Sequence, residues 1–224
     1  MPIPTDIQAV VFDLDGTLLD RRRSFEAFVR DQWRRFISRV GNVDEEQYIQ
    51  TLIQLDRDGY APRQTLFSDL AAKFDLPRDL AVTLLTDYRA GFPSACVLFS
   101  DVIDTLATLR ASGLKLGLIT NGSARMQSRK LDALALAKMF DAIAISETEG
   151  CSKPDPRIFH RVLDRLGTAP AHSVFVGDHP AVDVAGSRGA GMFAIWRRDP
   201  IVTSVVDADA IVDKVGDLVA ILCG

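Results

Sequence analysis

The sequence predicts a doubly wound α/β protein, a mainly parallel sheet covered by helices, with a small all-helical insert near its start. Three observations predict it. Short runs rich in β-branched residues and apolar on both faces recur through the second half, as strands buried on both faces require. Amphipathic helical patterns alternate with those runs. The first strand is separated from the second by about 100 residues of largely helical pattern, where a simple crossover needs about a dozen.

The first strand covers 7–12 and runs into "VVFDLDGTLLD" at 10–20. The insert follows, from about 19 to 94. Phe25, Phe28, Val29, Phe36, Ile37 and Val40 recur there at helical spacing, and Leu52, Ile53, Leu66, Leu70 and Phe74 continue the pattern. "GFPS" at 91–94 reads as the return linker, which leaves 1–18 and 95–224 as the core domain. In "DVIDTLATLRASG", Val102, Ile103, Leu106 and Leu109 share a face and Gly113 is placed as a stop. Further strands are expected in 114–120, 142–146, 172–178 and 193–196. In "RIFHRVLDRLG" Asp155 can cap, Pro156 suits the first turn and Gly167 ends the helix.

Composition sets bounds. With 47% hydrophobic and 25% charged residues in 224, there is ample material for a core. A net charge of −4 gives no electrostatic reason to expect nucleic acid. Cys96, Cys151 and Cys223 are far apart and odd in number, which reads as free thiols in a reducing compartment. No signal-peptide pattern opens the sequence, and no apolar run approaches the roughly 20 residues of a membrane helix. The expectation is a cytoplasmic protein, monomer or homodimer.

Ligands of open α/β sheets bind beyond the carboxyl ends of the strands, so the residues there carry the chemistry. The first strand ends in Asp13, Asp15 and Thr17, with both carboxylates on one side of an extended backbone. Held that close, like charges repel, and burying them costs several kcal/mol unless a cation or proton compensates. The second strand leads into Thr120, Asn121, Gly122 and Ser123. The third is followed by Lys153 in "SKPDPRIF", and the fourth by Asp178 and Asp183 in "GDHPAVD". Oxygen-rich ligation without His or Cys suits Mg²⁺ with phosphate oxygens.

Four such clusters in this order, "DLDGT", "TN", "SKPDP" and "GDHPAVD", make the chain resemble the haloacid dehalogenase superfamily of hydrolases. The resemblance is to the phosphatase branch with a helical cap inserted after the first strand. It implies a Rossmann-like core and a cap over 19–94 that closes on the active site. It implies that Asp13 is the nucleophile and Asp15 the general acid and base. Thr120, Asn121 and Lys153 would bind the phosphoryl group. Mg²⁺ would be held by Asp13, the main-chain carbonyl of Asp15 and Asp178, with Asp183 in support. Gly16 and Gly177 would allow tight turns beside the ligand. Carbon-attacking dehalogenases of this family lack the second aspartate, so Asp15 favours phosphoryl transfer. The substrate implied is a small phosphorylated metabolite. A phosphomutase or a catalytically idle binding member keeps much of the same pattern. A phosphonate-cleaving enzyme wants a lysine in its cap, where Lys73 is the sole candidate.

The remaining features read as structural. "GSRGAG" at 186–191 has the wrong spacing for a dinucleotide loop and precedes a strand, as a helix end does. His160 and His172 read as structural, and Trp33, Tyr48 and Tyr60 as cap core. His179 sits beside Asp178 and reads equally as a loop residue or a substrate contact. "RRRSF" at 21–25 reads as a solvated face, with Arg21, Arg22 and Arg23 as lesser candidates for an anionic substrate.

Overall fold

In the computed structural model, residues 3–40, 43–59, 61–203 and 205–224 are described. Two compact units emerge, Met1–Asp20 with Leu98–Gly224, and Arg21–Val97. Among the described residues the first holds six strands: β1 (Ala9–Phe12), β2 (Lys115–Thr120), β3 (Ala142–Ile145), β4 (Ser173–Gly177), β5 (Phe193–Arg197) and β6 (Ala210–Val212). Their order is β3-β2-β1-β4-β5-β6 and every neighbouring pair is parallel. This is a Rossmann-like α/β sheet, with β1 between β2 and β4 at the point where the strand order reverses. All four residues of β1 are fully buried, which explains why "AVVF" carries no polar alternation. β6 was not expected, because "AIV" is too short to stand out from its surroundings.

The second unit is helical: α1 (Arg21–Gln32), α2 (Glu45–Asp56), α3 (Arg63–Lys73) and α4 (Arg78–Ala95), with one π-helical turn at Trp33–Ile37. Its core is aromatic. Phe25 and Phe28 each meet Phe92 edge-on with centroids 5.8 Å apart, and Tyr88 stacks on Phe92 at 5.0 Å. Tyr48 is fully buried and Trp33 half-buried, while Tyr60 lies outside the described residues.

Residues 91–94 are not a linker. They lie inside α4, with Pro93 in its last turns and both Phe92 and Pro93 buried. A proline inside a helix costs about 3 kcal/mol. Near the end of an 18-residue helix, burying Phe92 in the aromatic cluster offsets that cost. The chain returns to the first unit after Val97. There the outgoing and returning segments run antiparallel, with Leu19 bridged to Leu98 and the Phe99 amide donating to the Leu18 carbonyl at 3.1 Å.

Back in the sheet unit the helices are α5 (Val102–Ala111), α6 (Ala124–Ala133), α7 (Ser146–Glu149), α8 (Pro156–Leu166), α9 (Ala185–Gly189) and α10 (Leu218–Leu222). The stops and caps of α5 and α8 are where the sequence places them. Gly113 has φ +87°, Asp155 accepts from the Arg157 amide, and Gly167 is left-handed. Ile103, expected on the inner face of α5, is exposed instead, leaving Val102, Leu106 and Leu109 to bury it. "GSRGAG" forms α9 and its exit into β5.

Candidate active site

Asp13 follows β1 directly, and its amide donates to the Val176 carbonyl of β4 at 2.9 Å, which fixes it between the two strands. Its carboxylate is buried and accepts from the Lys153 ammonium at 2.5 Å. The same ammonium donates to Asp183 at 2.7 Å, so one buried cation bridges two buried carboxylates. Lys153 arrives from the loop before α8, and Asn121 fixes that loop. The Asn121 side chain accepts from the Lys153 amide at 3.0 Å and donates to the Lys153 carbonyl at 2.9 Å. These two bonds use the Asn121 side-chain oxygen and one of its two N–H donors, which leaves one N–H and the main-chain amide to offer a ligand.

Asp178 follows β4 directly, and its carbonyl accepts from the Trp196 indole of β5 at 2.7 Å. Asp183 sits in a π-helical turn, Pro180–Val184, where its second oxygen accepts from the His179 amide at 3.0 Å. His179 is itself a cap: its Nδ1 accepts from the Ala181 and Val182 amides, both at 3.2 Å. Two glycines make room. A Cβ on Gly16, whose φ is +90°, would meet an Asp178 oxygen at 2.3 Å. Gly177 needs no unusual dihedral; a Cβ there would meet Asp183 Cβ at 2.4 Å, so its role is clearance and not a turn.

Carboxylate oxygens of Asp13, Asp178 and Asp183 lie within 4.8 Å of one another. Burial raises the Asp13 carboxyl to about 7 against the pull of Lys153, and Asp183 and Asp15 add to the rise. Burial, then Asp13 and Asp183, push Asp178 well above the usual carboxylate range. Lys153 is raised as well, for the opposite reason: burial would lower it, but the two aspartates hold it protonated. A cluster of oxygen donors that strained by its own charge fits a hard divalent cation.

Thr120 ends β2 with its side chain buried, and its hydroxyl oxygen accepts from Gln127 Nε2 at 2.5 Å. The Thr120 O–H is left to donate elsewhere. Thr17 is fully buried, and its hydroxyl has no partner among the described residues. Asp15 is not one of the three clustered aspartates, although its charge acts on Asp13. Both its oxygens accept from Lys130, at 2.7 and 2.8 Å, and one also accepts from Gln127 at 2.8 Å.

Gln127 and Lys130 are buried residues that sequence reasoning passed over. The signal was present. They share the inward stripe of α6 with Leu131, three and four residues apart, and a polar residue on such a stripe calls for a partner. Arg21, a lesser candidate for an anionic substrate, is instead buried in the helical unit, paired with Asp56 at 2.7 Å. Arg63 pairs with the same Asp56, and Arg22 pairs with Asp58 at 3.0 Å. Lys73 is exposed.

Among the described residues no helix is long and apolar enough to cross a membrane. A family model of haloacid dehalogenase-like hydrolases matches residues 7–191. A glyceraldehyde 3-phosphate phosphatase of Methanopyrus kandleri is 32% identical over 194 residues, covering 84% of this chain and 83% of its own. The crystal structure of a phosphatase of the same superfamily from Thermococcus onnurineus aligns over 97% of this chain and 99% of its own, with 28% identity and a TM-score of 0.69. The hydrolase YfnB of Bacillus subtilis, solved bound to magnesium, shares the fold at a TM-score of 0.78 and 24% identity, covering 96% and 98%.

Proposed function

Because the chain belongs to the haloacid dehalogenase-like hydrolase family, we propose that it is a Mg²⁺-dependent phosphatase of small phosphorylated metabolites, working through an aspartyl-phosphate on Asp13. The observation that carries this reading is the buried Asp13 carboxylate, held by Lys153 at 2.5 Å within a cluster of aspartates at the sheet's switch point.

Asp13 attacks phosphorus through a carboxylate oxygen, forming an O–P bond as the bond from phosphorus to the substrate oxygen breaks. Asp15 gives its proton to the departing oxygen. A water then attacks the phosphorylated Asp13 and loses its proton to Asp15, and cleavage of the Asp13 O–P bond releases phosphate and restores the carboxylate. Lys153 meets the negative charge that builds on the equatorial oxygens, and the Thr120 O–H donates to one of them. Asp13, the Asp15 carbonyl and Asp178 would hold Mg²⁺, which when bound neutralises phosphoryl charge and favours the ionised nucleophile. Asp183, engaged by Lys153 and the His179 amide, supports that set from behind. The chain leaves the core for the helical insert after Asp20 and returns at Leu98, and on this reading the insert selects the leaving group.

The test is phosphate release from a panel led by glyceraldehyde 3-phosphate, with a sugar phosphate, a nucleoside monophosphate, phosphoglycolate and an aryl phosphate. Turnover is expected with Mg²⁺ and lost in EDTA, and Asp13→Asn should lower it by about 10⁴-fold or more. Turnover that survives Asp13→Asn, or no turnover of any compound, sinks the reading.

A further inference from the structure

We propose that Gln127 and Lys130 are positioning residues for Asp15, a clamp on α6 that orients the carboxylate toward the departing oxygen. This rests on the reading of Asp15 as acid and base, and says how its side chain is aimed.

The geometry is specific. Lys130 is 5% exposed and Gln127 2%, although both are long polar side chains on a helix whose other residues, Leu131 apart, are exposed or half-buried. Burying an ammonium is expensive unless it is paired and hydrogen-bonded. Lys130 reaches both oxygens of Asp15, at 2.7 and 2.8 Å, which fixes the plane of the carboxylate as well as its position. Gln127 ties the same group to the phosphate-binding strand end, because its amide donates to Asp15 at 2.8 Å and to Thr120 at 2.5 Å. α6 begins at Ala124, a short loop after that strand end, with Ser123 capping it through the Met126 amide at 3.3 Å. One rigid helix therefore sets the distance between the residue proposed to grip the phosphoryl group and the residue proposed to protonate the leaving oxygen. Side chains that hold a reacting group in line are worth as much as about 10²-fold per ångström of misplacement.

The readout is the leaving group. An aryl oxygen departs as a stable phenolate and needs little protonation, whereas a sugar alkoxide needs the proton. The ratio kcat/KM reports the steps through departure of that oxygen, so it isolates the acid role of Asp15. Lys130→Met is expected to lower kcat/KM for the sugar phosphate about 10- to 100-fold, and for p-nitrophenyl phosphate by less than about threefold; Gln127→Leu, which also frees Thr120, is expected to lower both, the sugar phosphate about 10-fold more. Lys130→Arg, which keeps a charge able to reach both oxygens, is expected to restore most of the loss. Asp15→Asn is the reference and should show the same bias more strongly.

Equal losses on both substrates in variants whose thermal melts match wild type would make the clamp structural and overturn the proposal. So would an unaffected sugar-phosphate rate. If Lys130→Met fails to fold, Gln127→Leu and Lys130→Arg decide by the same criterion. If Asp15→Asn itself shows no leaving-group bias, it is the acid role of Asp15 that falls, and the clamp falls with it for that separate reason.

Discussion

Asp13 is pulled in two directions, and the balance is measurable. Burial raises its carboxyl from the usual 3.8 to about 7, with Lys153 opposing and Asp183 and Asp15 adding. The folded chain therefore holds a proton through a window where the unfolded chain has released it. Stability falls with pH wherever the native state binds more protons, so this contribution is full below about 3.8 and is lost as pH rises through about 7. Asp178, raised by burial and then by Asp13 and Asp183, has the same sign. In EDTA the thermal midpoint should decline from about pH 4 to about pH 7. A bound divalent cation favours the ionised carboxylates, so added Mg²⁺ should raise the midpoint more at pH 8 than at pH 5. A flat profile with no Mg²⁺ shift would remove the electrostatic case for a cation. At this scale the aspartates, Thr120 and Lys153 were legible because each follows a strand end, where chain topology alone gathers polar groups. Lys130 and Gln127 were not, because a basic helix such as "ARMQSRKLDA" reads as solvated until its inward stripe is known. The engagement of Asn121 with Lys153 joins positions 32 apart, and nothing local in the sequence signals such a bond.

At the scale of elements, α8 shows how packing holds the site. Its inward residues Ile158, Phe159, Val162 and Leu163 are buried, and Phe159 meets Phe175 of β4 edge-on with centroids 5.1 Å apart. The Phe175 ring in turn lies 5.2 Å from the Lys153 ammonium. Phe159→Ala should cost about 3–5 kcal/mol in a denaturant titration, from lost transfer energy and the cavity left behind. It should also lower phosphate release, because Phe175 would lose the ring that holds it under Lys153. A loss of stability below about 1 kcal/mol would mean that α8 can collapse onto the sheet, and the packing argument would fail. α8 was legible from its cap, its first-turn proline and its terminal glycine. α4 was not: Gly91 and Pro93 are local helix-breaking signals, and the burial of Phe92 that overrides them is a tertiary fact.

For the whole molecule, the two units invite a test that the sequence supplies by chance. It contains two tryptophans, Trp33 in the helical unit and Trp196 in the sheet unit. Trp196→Phe leaves the helical unit untouched and reports it through Trp33; Trp33→Phe does the converse. The helical unit is the smaller, and small domains bury a lower fraction of their surface and are correspondingly marginal. In guanidinium chloride the Trp33 transition should therefore come first, at a lower midpoint than that of Trp196. Mg²⁺ discriminates further. Trp196 donates its indole N–H to the Asp178 carbonyl at 2.7 Å, which makes it a neighbour of the proposed cation site. A ligand that binds only the native state stabilises by about 2.7 kcal/mol at about 100 times its Kd. That stabilisation should move the Trp196 transition and leave the Trp33 transition in place. Coincident transitions that move together would instead make the chain one cooperative body. The insert would then be part of the stability of the site, and its role could not be confined to choosing the leaving group.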